Sequence, residues 1–140
     1  MANVKRKPTA LAAQRGGALA EFAVAAPIII VLLFGILEFG VAFYTKGLIT
    51  NASREGARFG VVFTTPRKTG AQIQSKVNEF LVKAGFTQTT ATSVTGAGGA
   101  TGSLLTVNVS YPYNFQVLPH FVQGFTGSIT LRAVTAMRME

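Results

Sequence analysis

Hydrophobic positions fall into three regimes along the 140 residues. From Phe22 to Leu37 sixteen residues pass without a charge (FAVAAPIIIVLLFGIL), and after Glu38 the apolar character resumes as far as Tyr44. At 1.5 Å rise per residue the ~23 positions from 22 to 44 make a helix of roughly 34 Å, enough to cross a ~30 Å hydrocarbon core. The run is apolar on every face, and too few residues follow it to bury such a helix inside a soluble fold. It is therefore predicted to span a bilayer. Pro27 lacks the N–H that would bond to residue 23, so a kink or locally opened turn is expected there.

Beyond Tyr44 the spacing becomes three and four. Leu48, Ala52, Phe59 and Val62 recur on one side while Lys46, Asn51, Arg54 and Arg58 fall on others, so the helix is predicted to emerge from the bilayer and to stop by Thr65, ahead of Pro66. A second helix is signalled by the capping box Thr69–Gln72, the apolar stripe Ile73, Val77, Phe80, Leu81 and Ala84, and a terminating Gly85. Arg67 and Lys68 read as a solvated turn, and Glu79 with Lys83 as an i, i+4 pair.

From Thr87 the period drops to two. Strands are predicted at about 89–95, 103–111 and 127–138, with a flexible glycine-rich loop at 96–102. In the second, Leu105, Val107, Val109 and Tyr111 alternate with Thr106, Asn108 and Ser110; in the third, Ile129, Leu131, Ala133 and Met137 face inward. Residues 112–125 read as a loop folded over its own sheet, with His120 a polar loop residue. The expected architecture is α+β: a long N-terminal transmembrane helix followed by a small outer domain of one helix on a three-stranded, mainly antiparallel sheet. A sheet that small needs cover from the emergent helix or from a neighbouring subunit.

Composition narrows the chemistry. All five acids are Glu, there is no Asp and no Cys, and His120 is the single histidine. Asp-based triads, two-metal carboxylate sites and thiolate chemistry lack their residues. No nucleophile is paired with a base, and the glycines at 96–102 lack the lysine of a phosphate-binding loop. We expect no enzyme, no cofactor, no metal and no small-molecule substrate.

Thirteen Lys and Arg against the five Glu give a net charge of +8. Half of it, Lys5, Arg6, Lys7 and Arg15, lies in residues 1–16, which contain no acid. Basic residues ahead of an apolar span hold the N-terminus in the cytoplasm and place residues 45–140 outside, with Phe43 and Tyr44 at the outer interface. The high basicity is thus explained by topology, and nucleic-acid binding is not expected.

Glu21 interrupts a segment otherwise compatible with lipid, where an unpaired carboxylate costs several kcal/mol. Arg15-Gly16, Gly17-Ala18-Leu19-Ala20, Glu21-Phe22 resembles the processing motif of type IV pilins. Together with Gly35-Ile36-Leu37-Glu38-Phe39-Gly40 and Asn51-Ala52-Ser53-Arg54-Glu55-Gly56-Ala57-Arg58, it resembles the TadE-like family, the pseudopilins or minor pilins of the tight-adherence (Flp-type) pilus. The resemblance is strongest over residues 14–60. It implies a basic leader, 1–16, removed after Gly16 by a prepilin peptidase; a transmembrane and emergent helix, 17–63; and an outer α+β domain, 64–140. It further implies the bacterial inner membrane, a periplasmic C-terminal part, and other pilin-like subunits with their assembly platform as partners.

Cleavage would create an α-amino group on Gly17, largely protonated at neutral pH. Glu21 lies one helical turn on, so that amine, from the same chain or an incoming subunit, is its expected charge partner, with Phe22 beside it. Glu38, roughly 25 Å further along, is expected at the outer boundary near Lys46 and water, with Gly35 and Gly40 allowing close helix packing. The competing reading is a permanent single-span membrane-anchored binding protein with a basic outer domain.

Overall fold

The computed structural model describes residues 10–87, 90–121 and 127–140, apart from the side chains of 10–15, Leu118 and Phe121. One helix, α1 (Ala10–Val61, 52 residues), carries both the apolar run and the emergent segment. Its backbone stays helical through Pro27, so the expected opening does not occur; the single missing N–H is one bond in a long ladder. No residue from Gly16 to Leu37 is buried. Glu38 and Ala42 are, because the outer domain closes over them. Residues 17–37, about 31 Å of helix, are thus free of buried positions, and Phe39, Val41, Phe43 and Tyr44 of the predicted 22–44 run stay exposed beyond them.

After Val61 come α2 (Gly70–Lys83), β1 (Ala91–Thr95), β2 (Leu104–Asn114), the one-turn α3 (Leu118–Phe121) and β3 (Ser128–Arg138). The sheet is antiparallel in the order β1-β2-β3. Residue 89 of the predicted strand at 89–95 and residues 122–125 of the predicted loop lie outside the described residues. β2 runs past Tyr111 and through Pro112, contrary to expectation. Pro112 pairs with Thr130 on β3, while β1 begins opposite Ser110, so among the described residues no strand pairs with the other side of β2 at Pro112 and a missing N–H is tolerated. Leu131 and Ala133 of β3 face inward as expected. Ile129 is exposed because it lies at the far end of the strand, next to α1.

The core joins α1 and α2 to one face of the sheet. Ile49, Ala52 and Ala57 of α1 meet Ile73, Val77 and Leu81 of α2 and Leu105, Val107 and Val109 of β2. The emergent helix thus supplies the cover that the small sheet requires. Its buried face is Ile49, Ala52, Ser53, Gly56, Ala57, Gly60 and Val61. That differs from the predicted stripe: Leu48 and Phe59 are only half-buried, and Val62 is exposed. Small side chains occupy the contact because α2 passes too close for larger ones. A Cβ on Gly56 would sit within 2.3 Å of Val77 Cγ2, and one on Gly60 within 2.5 Å of Ile73 Cδ1. Ser53 Oγ donates to the Thr50 carbonyl (2.9 Å), which leaves it to accept from Thr135 Oγ1 (2.7 Å), pinning α1 to β3.

Both ends of α2 are closed as its sequence predicts. Thr69 Oγ1 accepts from the Gln72 N–H while Gln72 Oε1 accepts from the Thr69 N–H. At the other end Gly85, at φ +86°, lets its own N–H reach the Val82 carbonyl and that of Phe86 reach Leu81, both at 3.0 Å. Thr69→Ala is expected to cost about 1 kcal/mol in thermal unfolding of the full chain in detergent, with Thr69→Ser near neutral; equal melting of the Ala variant and the parent would contradict the cap. Lys83 and Lys76 lower the Glu79 carboxyl from its ordinary value through hydrogen bonds. The group is fully exposed, so stability gains little from it.

Candidate functional site

The residues singled out in the sequence separate into two groups. Gly16, Gly17, Glu21 and Phe22 lie on the bare part of α1, all exposed, with Phe22 68% so. A side chain at Gly16 or Gly17 would meet nothing within 4 Å. Glu21 has no hydrogen bond or ion pair among the described residues. Among the described residues, no element of the outer domain buries this end. The Gly16–Gly17 peptide is helical here, and two adjacent glycines weaken a helix by roughly 1 kcal/mol each relative to Ala. This turn is therefore less costly to unwind than one built of alanines.

Glu38 is in a different setting from the one expected. It is 9% exposed, and its Oε1 accepts the backbone N–H groups of Gln116 (2.6 Å) and Val117 (2.5 Å). A carboxylate taking two main-chain donors is a charge-assisted clamp. It fixes the segment leading into α3 against α1 at the point where the stretch free of buried positions ends. Lys46 is not its partner. The Tyr113 hydroxyl donates to the Glu38 carbonyl at 3.4 Å. Burial, with the negative Glu38 nearby, raises the Tyr113 phenol above its ordinary value.

Aromatic rings brace the same junction. Phe115 packs edge-on against Phe39 of α1 (centroids 5.4 Å) and against Tyr113 (5.2 Å). Beside them a groove of about 480 Å³, lined in part by Phe34, Leu37, Glu38, Tyr111 and Tyr113, opens between α1 and β2. Gly35 is half-buried, while Gly40 faces open space.

Sequence reasoning missed the clamp because its donors are backbone groups 78 and 79 residues away. The available signal was the carboxylate itself, placed where an apolar run resumes on both sides. A family model described as TadE-like protein matches residues 16–58. No curated protein and no solved structure matches the chain.

Proposed function

We propose that this chain is a pilin-like structural subunit of the tight-adherence pilus system, a reading supported by the match of the TadE-like model to residues 16–58. A prepilin peptidase cuts it after Gly16, and it then packs helix against helix with other pilin-like subunits at their assembly platform. One observation carries the reading: Glu21 is the only charged side chain between Gly17 and Leu37, a stretch of α1 in which no residue is buried. Alone in lipid, that carboxylate is costly. Pairing it with the amino group that cleavage creates on Gly17 of a neighbour removes the cost as the helices associate.

The four basic groups ahead of Gly16 hold the N-terminus in the cytoplasm, and the outer domain is periplasmic, anchored in the inner membrane until assembly. This is a structural role, without catalysis.

The intact mass of the chain purified from cells that contain the peptidase tests the first step. A mature protein beginning at Gly17 is expected. Glu21→Gln should be inserted and processed like the parent, yet be absent from sheared pili or the assembly complex. An intact Met1 start in those cells would favour the permanent membrane-anchored binding protein instead, and normal incorporation of Glu21→Gln would remove the charge-pairing role.

A further inference from the structure

A second recess lies on the side of α1 that meets β3. Phe39 and Phe43 project from α1 at i and i+4, and Ile129 and Leu131 from β3; together they line a pit of about 300 Å³. Lys46, a further turn along α1, and Arg132 of β3 stand at its rim. Neither cation has an acidic partner among the described residues, whose only ion pairs are those of Glu79 with Lys76 and Lys83. β3 is an edge strand of the sheet, paired on one side with β2, so the pit runs along the sheet's edge.

Position decides what could fill it. The pit begins two residues above Leu37, where the stretch free of buried positions ends. Lys46 is nine residues above Leu37, roughly 13 Å along the axis. Helical side chains tilt toward the N-terminus, so a lysine here leans back toward the bilayer. A stem of roughly 6 Å returns its ammonium to the headgroup layer, about 5–8 Å deep on each side. An extended acyl segment fits.

We propose that this pit binds one anionic phospholipid of the outer leaflet, an acyl chain against Phe39, Phe43, Ile129 and Leu131 and the phosphate at Lys46 and Arg132. The assignment rests on α1 spanning the bilayer but not on cleavage or pilus assembly. In it the outer domain sits on the membrane at a fixed place, held by a lipid.

Native mass spectrometry of the full chain, released from nanodiscs that contain equal phosphatidylglycerol and phosphatidylcholine with identical acyl chains, tests it. Retained phosphatidylglycerol should exceed phosphatidylcholine, with a preference of about five-fold per cation. Lys46→Ala with Arg132→Ala should bring the two lipids to parity at an unchanged melting temperature, and Lys46→Arg should keep the preference. Parity in the parent overturns the site, as does a preference that survives the double substitution. Displacement of the lipid by millimolar inorganic phosphate also overturns it, because the rim would then be a plain anion site. A double variant that alters the oligomeric state but not the lipid count would assign the face to a second copy. A chain that fails to enter nanodiscs at all would overturn the spanning reading, and the lipid site with it.

Discussion

Gly56→Leu is expected to abolish cooperative unfolding of the outer domain, and Gly56→Ala to lower its stability by up to about 2 kcal/mol. The atom a new Cβ would strike is Val77 Cγ2, at 2.3 Å. Val77 is fully buried and β-branched, with one strongly preferred rotamer in its helix, so it cannot swing aside. Overpacking of this kind costs about 1–3 kcal/mol, and the better helix propensity of Ala offsets about 1 of that. Leu adds three more carbons where there is no space, against a total stability on the order of 5–15 kcal/mol.

Gly40 provides the control on the same helix. Nothing lies within 4 Å of its missing Cβ, so Gly40→Ala should leave melting unchanged or raise stability by up to ~1 kcal/mol. Thermal unfolding of the three variants in one detergent makes the comparison. Two alanine variants that shift in the same direction would refute the close contact between α1 and α2.

Glu38→Leu should release residues 115–121 from α1. Leucine matches the neighbouring apolar surface but offers no acceptor, which strands the N–H groups of Gln116 and Val117 at a cost of about 1–3 kcal/mol each where water cannot replace the carboxylate. Glu38→Gln keeps a carbonyl oxygen at nearly the same place and should lose roughly half as much, since a neutral acceptor makes the weaker bond. Amide hydrogen exchange is the direct readout: faster exchange at 116 and 117 in the Leu variant, an intermediate rate in the Gln variant, and little change at Val107 or Val109 in the core. Unchanged protection at 116 and 117 in Glu38→Leu would mean that the clamp does not hold the segment.

The parts of this fold that were legible in the sequence are those where hydropathy and local chemistry agree. The second helix was announced by Thr69, Gln72 and Gly85, each of which does in the structure what its type predicts. The alternation from Leu105 to Tyr111 gave the central strand. Apart from Ala52, the buried face of α1 escaped because Ser53, Gly56, Ala57 and Gly60 carry little hydropathy; their small size lets another helix approach closely. Phe59 and Val62 drew attention for their apolar character and proved peripheral.

Pro112 was misread because its tolerance depends on where β1 begins, which only the strand register reveals. Glu38 was misplaced for a similar reason. A carboxylate beside an apolar run reads as interfacial, whereas its partners are main-chain groups on a segment brought back by the sheet. Glu21 and the Gly16–Gly17 pair were visible at once, since their meaning lies in local order along the chain.

The unbroken course of α1 has a geometric result. Each helical residue advances the azimuth by about 100°, so Glu21 and Glu38, seventeen residues apart, leave the axis in directions about 100° from one another. A flexible joint would lose that relation; a single helix keeps it. The membrane end therefore dictates the compass heading of the outer domain about the common axis. Adding or deleting one residue between the two carboxylates would swing every surface of the domain by about 100° and shift it by 1.5 Å.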